Sequence, residues 1–235
     1  RARELSGDTV LAYELMPRMC LDLALRHIEG VADPLAAASP WYVLVELATA
    51  SPIDDLRAKL EAILAEAMEQ GRVTDGVIAG SEAQRAALWR IREEQAEAGR
   101  REGGGVSSDV SVPVSRVAEF LARAEAMLRR LEPEIRLNTF GHMGDGNIHY
   151  LVMRPLGAGG AATDAAAWKR RGAELVLALN DLVAEMGGSF SAEHGIGALK
   201  RDELRRYAEP SRLTLMRAVK AAVDPAGIMN PGKIL

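Results

Sequence analysis

Phe140-Gly-His142-Met-Gly-Asp145-Gly-Asn147-Ile-His149 decides how this chain folds, because Asp145-Gly146 is a turn-forming dipeptide between two apolar runs, Arg136 to Met143 and Asn147 to Met153. The spacing predicts a β-hairpin, so the sheet is at least partly antiparallel. With Asp145 and Gly146 as the two central turn residues, 144 faces 147, 143 faces 148, and His142 faces His149 with Cβ atoms about 4.5–5.5 Å apart.

Outward from the hairpin, helix and strand signals alternate. Ser51-Pro52-Ile-Asp54 and Ser81-Glu-Ala-Gln84 read as capping boxes, the first opening a helix over about 52–70 whose stripe includes Ile53, Leu56, Leu60, Ile63, Leu64 and Ala67. Pro17 opens a helix to about His27, Val117 to Leu131 carries another apolar stripe, and Asp164 to Met186 a long one closed by Gly187-Gly188. Trp41 to Ala48, Val73 to Ile78 and Val106 to Val114 read as strands, the last stopped by Pro113, and Gly157 to Ala162 as a surface loop. The sum is an α+β domain: a mainly antiparallel sheet with helices packed on one face, plus C-terminal helices.

An apolar share of 48% over 235 residues is enough for a full core. The net charge of -4 is well mixed and lacks a basic run with interleaved aromatics, which argues against nucleic acid as a partner. The single cysteine, Cys20, lies in an apolar helical pattern, so a disulfide framework is excluded and a reducing compartment is expected. No stretch reaches the roughly 18 apolar residues of a membrane span. Because strand pattern begins within ten residues of Arg1, a fragment of a longer protein is expected.

Three of the four histidines fall in two glycine-rich segments, the hairpin and Ser191-Ala-Glu193-His194-Gly-Ile-Gly197. Histidine both ligates transition metals and moves protons near neutral pH. A facing pair, His142 and His149, suits one divalent metal with bonds of about 2.0 Å, and Glu193 is the candidate third ligand. In an extended stretch Glu193 and His194 diverge, one towards the metal and the other towards the far side of a substrate, and the chain enters a helix near Gly197. The bland alternative has both strand histidines bonding to backbone, Glu193 capping a helix and the glycines shaping turns. His27, on a helix stripe, reads as structural. Arg92 would ordinarily be a solvated helix charge, although a guanidinium is the best fork for an anionic substrate. A self-contained metal-dependent hydrolase and a non-catalytic module that keeps the fold are the competing functions.

FGHMGDGNIHY, SAEHGIGALKRDEL and the terminal DPAGIMNPGKIL, in this order, resemble the C-terminal domain of FAD-linked oxidases of the vanillyl-alcohol oxidase type. The likeness is strongest to D-2-hydroxy acid dehydrogenases, among them the D-lactate and D-2-hydroxyglutarate enzymes and the glycolate oxidase flavoprotein subunit. It runs from about Tyr13 to Leu235. It implies a ferredoxin-like cap over a flavin held mainly by a separate N-terminal FAD-binding domain, oxidation of a D-2-hydroxy acid to a 2-oxo acid, and no turnover by this chain alone. It also implies roles: His142, His149 and Glu193 as ligands of a divalent metal, with zinc expected, His194 as general base, Arg92 for the substrate carboxylate, and Asn230 in the segment returning to the flavin. Ser107, Leu151 and Ala96 depart from residues that touch substrate in relatives and tilt the expectation towards a less polar acid. A cytoplasmic location, with or without peripheral attachment to a membrane through an electron acceptor, completes the expectation; the acceptor and a homodimeric state stay open.

Overall fold

A computed structural model describes residues 1–156 and 164–235, so the expected loop at 157–162 lies outside the described residues. Five strands, β1 (Val10–Pro17), β2 (Trp41–Leu47), β3 (Gly105–Ser111), β4 (Arg136–His142) and β5 (Asn147–Met153), form one sheet in the order β2-β1-β4-β5-β3. Every pairing is antiparallel, as the hairpin requires. The helices are α1 (Ala2–Ser6), α2 (Arg18–His27), α3 (Leu56–Glu69), α4 (Glu82–Glu93), α5 (Gln95–Arg101), α6 (Val117–Leu131), α7 (Ala165–Glu185), α8 (Arg201–Tyr207) and α9 (Pro210–Val223). The domain is α+β. From β3 onward the chain runs strand, helix, hairpin, helix, and then touches the outer edge of β3 through the bridge between Ser111 and Ser189. That is a ferredoxin-like β-α-β-β-α-β unit whose last strand has shrunk to a single bridge.

Alternation along the strands divides the sheet into two buried faces, so the helices lie on both faces rather than on one. Val110, Ile148, Tyr150 and Val152 face α6 and α7, where Phe120, Leu128, Leu175, Leu179 and Val183 close the larger core. Phe120 meets Tyr150 edge to face, with ring centroids 6.1 Å apart. On the other face Met16 and Phe140 pack against Cys20, Leu21 and Ala24 of α2 and Ile91 of α4, while Met153 meets Ala98 of α5. Each Val, Leu, Ile, Phe or Met among them, fully buried, contributes roughly 1.5–3 kcal/mol. A polar strut crosses this second core: Asn138 donates to Gln95, whose amide donates to the carbonyls of Cys20 and Ile91. It fixes the junction of α4 and α5. The Cys20 thiol donates to Asn138 Oδ1 at 3.0 Å, and burial pushes it well above the ordinary thiol range, which keeps it neutral.

Three local expectations fail. The hairpin loop has four residues, 143–146, instead of two: Phe140 faces His149 and His142 faces Asn147. Gly146 is left-handed at φ 77°, its N–H donates to the His142 carbonyl, and Asp145 accepts from the Asn147 N–H. A Cβ on Gly146 would sit 2.1 Å from the Val112 carbonyl oxygen, so the loop tip needs glycine for close approach as well as for φ. A shift of two residues preserves side-chain parity, so both histidines stay on one face as diagonal neighbours. The second failure is Val73 to Ile78, which forms no strand: Val73 bonds back to Ala67, and Val77 is 50% exposed. β-branched residues without a cross-strand partner have nothing to pack against. The first capping box is also displaced. Asp54 accepts from the Thr49 hydroxyl, and Asp55 caps α3 by accepting from the Ala58 N–H. Ser81 caps α4 as expected.

His27 is structural. With Arg26 and Arg136 it surrounds the carboxylate of Glu102 just past α5. Burial raises the Glu102 pKa, but the hydrogen bonds from His27, Arg26 and Arg136 outweigh it and bring the carboxyl from 4.5 down to about 2. The folded value lies below the unfolded one, so this stabilisation is complete above the unfolded value and is lost as pH falls towards 2. Glu102→Gln is therefore expected to lower Tm at neutral pH and to flatten the acid limb of a Tm-against-pH profile. An unchanged limb would remove Glu102 from that role.

Candidate active site

The site forms on the α2, α4 and α5 face, at the end of the sheet where the hairpin loop meets the loop after α7. Four strands and the loop after α7 supply it, with Arg92 reaching in from α4. Glu14 of β1 lies opposite His142 of β4, and Asp109 of β3 lies opposite His149 of β5. Gly187, left-handed at φ 73°, ends α7. Gly188 then passes so close to β3 that a Cβ there would meet the Ser111 carbonyl oxygen at 2.1 Å, and only glycine lets the chain reach the site along this path.

Both hairpin histidines turn inward. A carboxylate only accepts, so His142 Nδ1–H donates to Glu14 Oε1 at 2.7 Å and leaves its Nε2 lone pair free. That Nε2 lies 3.4 Å from His149 Nε2, and His149 Nε2 lies 3.4 Å from Glu193 Oε1. His149 is driven below the ordinary histidine range first by burial and then by the charges of Arg92 and His142, which together outweigh the opposite pull of Glu193 and Asp109. A neutral imidazole is the form that ligates a metal.

His142, His149 and Glu193 present donor atoms that all lie within 4.8 Å of one another. A tetrahedron with bonds of about 2.0–2.1 Å has edges of about 3.3–3.4 Å, so two of the donor separations already have the length a metal would impose. These three side chains could hold a divalent cation. Asp109, Glu193 and His194 form a second, overlapping group.

Glu193 and His194 do not diverge as expected. His194 Nε2 lies 3.6 Å from Glu193 Oε1, and the His194 ring stands 6.0 Å from the His149 ring. The reason is Asp109, whose Oδ2 accepts the backbone N–H groups of both Glu193 (3.0 Å) and His194 (3.1 Å) and folds the two residues over itself. Burial pushes the Asp109 carboxyl up, but those two backbone donors, helped by His194 and His149, bring it below the usual range. On the other side of the loop, Lys200 donates to the Phe190 carbonyl and the Ser191 hydroxyl, and burial lowers its ammonium pKa. The helix expected near Gly197 starts only at Arg201.

Arg92 reaches the site from α4. Its Nε donates to Glu14 Oε2 at 2.6 Å, and its guanidinium stacks over Phe140 at 4.6 Å, so Glu14 serves Arg92 and His142 together. Asn230 lies in an exposed turn with φ 47°. Its segment runs back to the site loop, where the Ile234 N–H donates to the Gly197 carbonyl at 2.7 Å. Ser107 pairs with Leu151 next along the strands from Asp109 and His149; Leu151 packs against Gly99 of α5, and Ala96 is exposed. Glu14 and Asp109, both about 96% buried, are the carboxylates of this cluster that sequence reasoning missed.

Comparison with known proteins agrees with the resemblance drawn from the motifs. The chain is 38% identical over 223 residues to D-2-hydroxyglutarate dehydrogenase of Xanthomonas citri pv. viticola, covering 95% of this chain and 45% of that protein. It is 36% identical over 234 residues to the mitochondrial D-2-hydroxyglutarate dehydrogenase of Bos taurus (99% and 40%). With the probable mitochondrial D-2-hydroxyglutarate dehydrogenase of Oryza sativa subsp. indica the identity is 34% over 236 residues (100% and 40%). The chain thus spans 40–45% of the length of these relatives. The family described as FAD linked oxidases, C-terminal domain, matches residues 2–234, and this chain belongs to it.

Proposed function

We propose that this chain is the substrate-side domain of a flavin-dependent, metal-assisted dehydrogenase that converts a D-2-hydroxy acid to the 2-oxo acid. The observation that carries the reading is the convergence of His142, His149 and Glu193 donor atoms within 4.8 Å of one another, with His194 beside them. Family membership supports the flavin, and the names of the relatives support a 2-hydroxy acid as substrate.

His142, His149 and Glu193 would hold the metal, which we take to be zinc and which would supply Lewis acidity to the substrate hydroxyl. FAD, held mainly by an N-terminal domain of the same protein, would supply the two-electron acceptor for the C2 hydride. Arg92 supplies the fork for the substrate carboxylate; its Nε is committed to Glu14, so recognition falls to the outer guanidinium nitrogens. His194 takes the hydroxyl proton. Glu193 and His194 are the open side of the cluster, with side chains 47% and 64% exposed, which leaves room for substrate and flavin on that side. Leu199, Ile228 and Met229 add exposed apolar surface in the same C-terminal region, suited to cover by the rest of the polypeptide. Asn230 belongs to that segment and is our candidate for contact with the flavin.

The Ser107 and Leu151 pair carries no cation, which favours a substrate whose far end is less polar than a second carboxylate. Rates for the complete, flavin-loaded protein with D-lactate, longer aliphatic D-2-hydroxy acids and D-2-hydroxyglutarate test both levels of the reading. Turnover of the aliphatic acids over 2-hydroxyglutarate is expected. The reverse order would overturn the substrate preference alone, and no turnover of any D-2-hydroxy acid would overturn the function.

A further inference from the structure

We propose that Asp109 is the positioning residue of this site, orienting the imidazole of His194 as well as the loop that carries it. The inference rests on the reading of His194 as the base. Asp109 holds that loop from three directions: Oδ2 accepts from the Glu193 and His194 amides, and the Asp109 carbonyl accepts from the Ala192 N–H at 3.2 Å. The same Oδ2 lies 3.2 Å from His194 Nδ1. The contact lacks hydrogen-bond geometry and is electrostatic; the carboxylate charge favours the hydrogen on Nδ1, which leaves the lone pair on Nε2. Nε2 is the nitrogen that faces Glu193, and so the metal cluster.

The other oxygen, Oδ1, is buried without a hydrogen-bond partner among the described residues and stands 3.7 Å from His149 Nδ1. One carboxylate therefore flanks the base and a ligand at once, with β3 as a rigid mount. In the reaction His194 Nε2 would take the hydroxyl proton, and the flavin held by the rest of the protein would supply the acceptor for the C2 hydride as the carbonyl forms. Asp109 stays ionised beside the resulting imidazolium, as the orienting carboxylate does in Asp-His pairs generally. A carboxylate that merely braced the loop would act through the two amide bonds alone; the proposal adds the charge that the same oxygen places 3.2 Å from the ring.

The test is a double-mutant cycle on the complete, flavin-loaded protein, comparing wild type, Asp109→Asn, His194→Ala and the pair. Alone, Asp109→Asn is expected to lower kcat by about 100-fold or more, with KM and metal content within about twofold of wild type. On the His194→Ala background it should lower kcat no further, because its effect passes through that ring. Equal losses on both backgrounds, or joint loss of metal and flavin, would overturn the proposal and leave Asp109 a structural brace. If His194→Ala keeps wild-type activity, the base assignment itself fails, and that outcome is separate from multiplicative losses. Should Asp109→Asn yield no folded protein, nitrogen NMR of selectively labelled histidine decides on the wild type: a protonated Nδ1 on His194 is expected, and a protonated Nε2 would overturn the proposal.

Discussion

His194→Ala in the complete protein lowers kcat by about 10²–10⁴-fold, the usual range for loss of a positioned acid or base. That is roughly 3–5 kcal/mol of transition-state stabilisation. Metal content should stay at the wild-type level, because His194 lies outside the His142, His149 and Glu193 set, and its 64% exposed side chain is replaced without leaving a cavity. KM should change little, since the substrate carboxylate is assigned to Arg92. Steady-state kinetics with metal analysis reads all three quantities. Undiminished kcat would remove the base, and loss of metal with activity would make His194 a ligand.

The second large effect is on metal affinity. Removing His149, whose Nε2 stands 3.4 Å from each of the other two donor side chains, takes out the centre of the cluster, and metal binding to His149→Ala should fall below detection in chelator competition. Glu14→Gln should act on the same quantity more gently, by about 10–100-fold, because Glu14 only aims His142 and raises the basicity of its ring. The graded order is the informative part. If Glu14→Gln matched His149→Ala, Glu14 would be a ligand; if neither variant changed metal retention, the cluster would not be a metal site.

Much of this was legible in the sequence because it was local. The Asp-Gly dipeptide marked the hairpin, apolar periodicity marked α2, α6 and α7, and the Glu-His dipeptide among glycines marked the site loop. The hairpin register was misplaced by two residues because the same dipeptide serves a two-residue turn or the end of a four-residue loop. Parity survived that error, which is why the two histidines still came out on one face. What stayed hidden was non-local. Glu14 sits among apolar residues in a strand 128 residues before His142, and Asp109 lies among serines on the polar side of β3, where alternation alone reads it as solvent-facing. Only the strand order β1-β4-β5-β3 brings each carboxylate beside its histidine. Helices on both faces were missed for a related reason: α2 and α6 each show one apolar stripe, and a stripe does not say which side of the sheet it covers.

The central claim is that a metal held by this domain and a flavin held by the rest of the protein act on one substrate. The most direct measurement is the flavin absorbance of the complete protein, mixed anaerobically with its best D-2-hydroxy acid, before and after chelator treatment and after divalent metal is restored. Bleaching that disappears with chelator and returns with metal is the predicted result. Bleaching indifferent to chelator, in protein shown to be metal-free, would contradict the account.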